Sequence, residues 1–174
     1  MDKMKNKSYI DIEIDKLTNS IENVLSGDKF DTEIIKMSAA EIKKLKNKDW
    51  FFDWQGEYKR HDRDVYRLVI ENHKVVHGLI SITDKGDHVF MHLIESAKFN
   101  LGKGKAYAGV PGNLVAFACK FSYEKGYGGF VAFDAKTALI KHYQDTLFAT
   151  SFKGTKMFID NFAAERLINQ YFKK

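Results

Sequence analysis

The chain is poor in the residues that staple or punctuate a fold. Of 174 residues one is cysteine, Cys119, and one is proline, Pro111. A single thiol excludes an intrachain disulfide framework and any zinc site built on cysteine pairs. Cys119 sits inside the apolar run VAFACKF, where it reads as a small buried hydrophobe rather than a nucleophile. His88 and His92 stand two apart on one predicted strand, but no third ligand follows at a suitable spacing, so no metal site is assigned. No stretch approaches the roughly 20 apolar residues that cross a bilayer. The basic opening MDKMKNK leads into an alternating pattern and not into the apolar core of a signal peptide. These absences predict a reducing, cytoplasmic setting with no membrane partner. Internal repeats and low-complexity linkers are also missing, so the expectation is a single domain over residues 1–174, with residues 1–29 as an N-terminal extension.

What is present is an ordinary globular composition, 44% hydrophobic and 29% charged, with a formal net charge of +5. The excess of cations favours anionic partners: a phosphorylated cofactor, an acidic surface or nucleic acid. A solvated basic surface accounts for the same number.

Residues 9–15, YIDIEID, alternate strictly, with Ile10, Ile12 and Ile14 on one face and acids on the other, the signature of a half-buried strand. Leu17, Ile21, Val24 and Leu25 recur at helical spacing up to Gly27. A strand is expected over residues 30–37. Ser38 and Glu41 then form a capping box for a short basic helix. Residues 49–64 are irregular and carry Trp50, Phe51, Phe52, Trp54 and Tyr58; they read either as a pocket wall or as core packing beneath a loop. Strands follow over residues 65–72, 75–84 and 88–97, in meander order. A helix over 113–125, an apolar strand over 129–135, a helix from Ala138, a strand over 155–160 and a final amphipathic helix complete the pattern.

The chemistry concentrates between His88 and Thr150. A strand is followed by the loop FNLGKGKAYAGVPG and then by a helix. The first turn of a helix carries unpaired N–H groups and the positive end of the dipole, so a glycine loop opening a helix suits a phosphate. A glycine-rich connection without a ligand is the plainer alternative.

The phrases IESAKFN, GVPGNLVAFA, SYEKGYGG and ALIKHYQDTLFA, in this order, resemble the Gcn5-related N-acetyltransferases. The resemblance covers about residues 30–160 and is best over 93–148. It implies a mixed α/β fold with a central, mostly antiparallel sheet flanked by helices. It also implies transfer of an acetyl group from acetyl-coenzyme A, as co-substrate, to a primary amine that the sequence does not identify. The cofactor would be held by the backbone of Leu93 and Ile94 and by Lys103, Lys105, Gly109, Val110, Gly112, Asn113 and Leu114. Tyr143 stands where the family places a tyrosine that protonates the leaving thiolate, with Phe148 in the place of its aromatic. Glu95, in an IE-x-A pattern, is the candidate base; a histidine or a water chain is the alternative, and Asn100 is placed to order the loop. Four positions depart from the pattern: Ala106 for Gln or Arg, Pro111 for Gly, Lys136 for Asn and Leu147 for Gly. Pro111 removes an N–H but suits a first helical turn. A catalytically degenerate module that binds acyl-coenzyme A or a protein is therefore the second expectation. A nucleic-acid-associated protein using Lys5, Lys7, Lys43, Lys44, Lys46 and Lys48 is the third.

Overall fold

A computed structural model describes residues 9–16 and 20–172. Strands β1 (Ile21–Asn23) and β2 (Lys29–Phe30) form a hairpin and β3 (Thr32–Lys36) follows. Helices α1 (Ala39–Lys43) and α2 (Trp54–Lys59) lead to strands β4 (Asp64–Ile70), β5 (Gly78–Asp84) and β6 (Val89–Ser96). Strand β7 (Tyr107–Ala108) precedes the long helix α3 (Val110–Glu124) and strand β8 (Val131–Asp134). Helix α4 (Ile140–Leu147), strands β9 (Thr150–Lys153) and β10 (Lys156–Ile159) and helix α5 (Asn161–Phe172) complete the order.

The larger sheet runs β3-β4-β5-β6-β8-β10-β9, and every neighbouring pair is antiparallel except β6 and β8. Parallel neighbours need a crossover, which α3 supplies. The smaller sheet is β2-β1-β7. The architecture is the expected one: mixed α/β, with a mostly antiparallel sheet flanked by helices.

Apolar side chains cover the large sheet on both faces. On one, Ile80, Ile94, Val110, Leu114, Phe133, Leu167 and Tyr171 belong to the main core under α3 and α5; on the other, Met37, Ile42, Trp50, Trp54, Leu79 and Leu93 pack under α1 and α2. Double coverage explains why β5 is buried from Gly78 to Thr83 rather than alternating. Ser38 and Glu41 make both bonds of the capping box, as their spacing predicts.

Helix α3 begins at Val110, three residues before its expected start, because Pro111 falls in the first turn, where it has no intrahelical bond to lose. Gly112 serves the α3–α5 contact. A Cβ there would lie 1.8 Å from the Tyr171 hydroxyl, which donates to the Lys16 carbonyl at 2.9 Å. Gly112→Ala should therefore lower stability by about 1–3 kcal/mol, as overpacking does. Urea denaturation checks this, and an unchanged midpoint would contradict the packing role.

Three stretches differ from the sequence expectation. The helix expected over 17–25 is instead strand β1 and a turn, with Leu25 98% exposed; Leu17 lies outside the described residues, as do Lys5 and Lys7. Pairing decides it: Glu22 and Asn23 align with Ala108 and Tyr107, and the Val24 N–H donates to the Ala106 carbonyl at 2.9 Å. The segment read as irregular contains α2, started by the Asp53 carboxylate accepting from the Gly56 N–H at 3.1 Å. Residues 9–15 bury Ile10 and Ile14 as their alternation predicts but form no strand; among the described residues one parallel bridge, Ile10 to Ala135, joins them to the sheet.

Candidate active site

The parallel pair at the centre of the sheet is short. β6 and β8 align only over Val89–Met91 and Val131–Phe133. Beyond Met91 no strand among the described residues pairs with β6 on that side, and the two strands part. The divergence has a local cause. Ser81 aligns with Leu93 and Ile82 with Met91, so His92 is an extra residue on β6. Such a bulge bends its strand and sharpens the twist. The start of α3 packs on the β5–β6 side of this fork. Gly78 makes room for it: a Cβ there would come within 2.6 Å of Val110 and 3.0 Å of Leu114. Gly109 precedes the helix with φ 97°, a conformation open to glycine.

Residues 9–16 lie in the fork. Ile10 donates to the Asp134 carbonyl at 2.7 Å and accepts from the Lys136 N–H at 3.0 Å. The Ala135 N–H points the other way, toward β10, and bonds the Thr155 carbonyl at 2.8 Å. The segment therefore runs beside β8 on the side that β6 has left. It continues past α4, where the Tyr143 hydroxyl accepts from the Ile12 N–H at 3.0 Å and donates to the Ile12 carbonyl at 2.6 Å. The Ile14 N–H donates to His142 Nε2 at 2.8 Å. It ends at the start of α3, where the Asp15 carboxylate accepts from the Gly109 N–H at 3.2 Å and from Lys105 Nζ at 3.0 Å. An anion thus already sits against the opening of the helix, although it belongs to the chain itself.

The sequence-selected residues fall into three groups. Gly109 and Lys105 meet where Asp15 docks, Val110 is buried in the core beside Gly78, and Lys103 stays on the exposed loop. Leu114, Gly112 and Asn113 are buried structural positions: Leu114 is in the core, and the Asn113 amide donates to the carbonyls of Ser20 at 2.6 Å and Gly109 at 3.0 Å. Leu93 and Ile94 are buried on opposite faces of β6, so any contact with a ligand in the fork falls to their backbone. At the end of the same strand, Ser96 has a buried hydroxyl without a hydrogen-bond partner among the described residues.

Tyr143 is fully buried, and burial pushes its phenol well above the usual value. Glu95 points to the aromatic face. Its carboxylate accepts from the Phe51 N–H at 2.7 Å, the Phe52 N–H at 3.2 Å and the Trp54 indole N–H at 2.8 Å. The carboxylate therefore holds the aromatic segment to the sheet. Of that segment, Trp50 lines a cleft of about 370 Å³ with Leu45, Val76 and Phe99 as apolar walls and Lys44 and Lys46 among its charged residues.

Behind the bulge lies a buried polar cluster. His92 Nδ1 accepts from Arg63, and Nε2 donates to Thr83 Oγ1 at 2.7 Å, whose own proton goes to the Asp62 carbonyl at 2.6 Å. Arg63 also faces Glu57 at 3.4 Å, and Glu57 accepts from the Ser81 hydroxyl at 2.8 Å. The acceptor role of Nδ1 requires neutral His92, and its pKa is pushed down to about 3 by burial and by the Arg63 charge. His88 stands apart, paired with Asp87 at 2.6 Å, so the two histidines share no site. Asn100 ties the loop: it donates to His77 Nδ1 at 3.1 Å and accepts from the Tyr107 N–H at 3.1 Å. Cys119 is buried, and burial pushes its thiol up.

Sequence reasoning missed Asp15, His142 and the part residues 9–16 play in the fork. The alternation of residues 9–15 marked a buried face, but no local signal says which strand it lies beside. No protein-family model matches the chain, and no curated protein matches it. Among solved structures, the chain is similar to an IAA acetyltransferase from Bacillus cereus at 18% identity and a TM-score of 0.46, over 70% of this chain and 79% of that one.

Proposed function

We propose that the chain is an acyltransferase of the Gcn5-related type, moving an acetyl group from acetyl-coenzyme A to a primary amine by direct attack. One observation carries the reading: the central parallel strands part beyond Met91 and Phe133, and the start of their connecting helix lies at the opening. In sheets of this kind ligands bind outside the carboxyl ends of parallel strands. A helix start favours an anion such as a pyrophosphate. The freed edge of β6, from Leu93 to Ser96, offers backbone groups to a thioester carbonyl.

In this reaction the amine nitrogen bonds to the acetyl carbon, the carbon–sulfur bond breaks, and the amine loses a proton to water. The thiolate takes a proton from Tyr143, whose hydroxyl must first leave the Ile12 backbone, and the phenolate regains a proton from solvent. Glu95 then acts by holding the aromatic wall rather than as the base, since among the described residues its carboxylate accepts from Phe51, Phe52 and Trp54 of that segment. Titration with acetyl-coenzyme A, coenzyme A and 3′-dephospho-coenzyme A tests the reading. Stoichiometric binding that weakens without the 3′-phosphate is expected, followed by thiol release with an amine acceptor. No binding up to millimolar ligand would overturn it.

A second reading, a module that binds acyl-coenzyme A without turnover, draws on the burial of Tyr143 and its engagement with Ile12. Binding without thiol release across a panel of amines would favour it.

A further inference from the structure

The fork is filled by the chain itself, and the manner of filling matches the ligand proposed for it. Between Ile10 and Asp15 the segment offers what the arm of coenzyme A offers: amides that pair along a strand edge, then an anion. The backbone of Ile10 takes the hydrogen bonds that the end of β8 and the loop after it present to the fork, from Asp134 and Lys136. Ile12 occupies the Tyr143 hydroxyl. The Asp15 carboxylate occupies the Gly109 N–H and Lys105 together. A second ion pair, Asp11 with Lys136 at 3.2 Å, ties the segment to the loop after β8. Ile10 and Ile14 seal it, at 1% and 6% exposure, while Asp11 and Glu13 lie on the outer side.

The two anchors differ in kind. The isoleucines are held by the core, whose contacts a polar ligand does not replace. The carboxylate is held by a charge and an N–H that a pyrophosphate would satisfy at least as well. The Asp15 end is therefore the end a phosphorylated ligand would displace first.

We infer that residues 9–16 form an intramolecular strap that competes with acyl-coenzyme A for the fork, so that cofactor binding requires the Asp15 end of the strap to leave. This rests on the acyltransferase reading of the fork and adds its regulation. The strap closes the site when Asp15 holds Gly109 and Lys105, and opens it when that contact is lost.

Calorimetric titration of the full chain with acetyl-coenzyme A, for wild type, Asp15→Asn and Asp15→Ala, provides the test. Asp15→Asn keeps an acceptor for Gly109 but loses the ion pair; Asp15→Ala loses both. The expected result is tighter binding in that order, by at least tenfold for Asp15→Ala. A measurement on wild type alone guards against a variant that fails to fold. Hydrogen exchange at the amides of Ile12 and Ile14, which lie toward the Asp15 end and are bonded to Tyr143 and His142 in the closed state, should speed up when saturating acetyl-coenzyme A is added. Binding by wild type with those amides still protected overturns the strap and leaves the cofactor reading standing. Weaker or unchanged binding by Asp15→Ala does the same. Absence of binding in all three proteins overturns the cofactor reading and the strap with it.

Discussion

Glu95→Ala is expected to cost about 3 kcal/mol of stability. Its carboxylate is 3% exposed and receives three N–H donors from one short segment. Truncation leaves them without an acceptor, and an unpaired buried donor costs about 1–3 kcal/mol. The effects do not simply add. Phe51 and Phe52 are 65% and 37% exposed, so water can reach their N–H groups, whereas the Trp54 indole lies on a side chain only 2% exposed. Glu95→Gln should cost less, about 1–2 kcal/mol, since one oxygen still accepts while its amide nitrogen meets a donor. Urea midpoints measure both. The same variants separate structure from catalysis. If Glu95 holds the wall, the Gln protein should keep its turnover with acetyl-coenzyme A within about tenfold in conditions where it is folded. A general base would lose 10²–10⁴-fold there, roughly the contribution of a positioned proton acceptor.

The second large effect is acid lability between pH 6 and pH 4. His92 and His77 are both buried, and both accept at Nδ1: His92 from Arg63 and His77 from the Asn100 amide. A protonated imidazole has no acceptor to offer, so each must stay neutral while the protein is folded. Burial is the first cause in both, lowering His92 to about 3 and His77 to about 4 from an ordinary 6.5. Arg63, Lys85 and Arg60 add like charge around His92 and Asp62 opposes them; His73 adds to the effect at His77. The sign follows from proton counts. Below about pH 6.5 the unfolded chain binds protons that the native state refuses until pH 4 or 3, so stability falls as pH falls through that window. Each histidine contributes a slope approaching about 1.4 kcal/mol per pH unit, or roughly 5 kcal/mol for the pair between pH 6 and pH 4. Denaturant midpoints at pH 7, 6, 5 and 4 should decline accordingly, and His92→Gln should flatten the curve by about half. A midpoint that does not move between pH 6 and pH 4 would show that the two rings are not held neutral.

Much of the architecture was legible locally because it follows from periods and caps. The meander β4–β5–β6, the apolar strand β8 and the amphipathic α5 each announce themselves through hydrophobic spacing. Ser38 and Glu41 mark a helix start through bonds made within four residues. Helix α2 escaped notice because its apolar residues Trp54 and Tyr58 sit among charges in a segment whose order depends on Glu95, more than 35 residues away. Strand β1 was read as helix for a related reason. Ile21, Val24 and Leu25 fit a helical period, but burial of Ile21 and pairing with the loop before α3 outweigh a short run of spacing.

The candidate site divides along the same line. Sequence alone determined the order of strand, glycine loop and helix, the place of Pro111 in a first turn, and the alternation that buries Ile10 and Ile14, because each is written in neighbouring residues. Tertiary structure decided the rest. A bulge at His92 parts β6 from β8, a six-residue span beginning at Ile10 fills the gap, and Asp15 reaches Gly109 across 94 positions of chain. It also set Gly112, a candidate cofactor contact, against Tyr171, and turned the carboxylate of Glu95, the candidate base, toward the Phe51 and Phe52 N–H groups and the Trp54 indole. Periodicity records which face of an element is buried. Which group meets that face is set by chain closure over long separations, and residue spacing carries no trace of it.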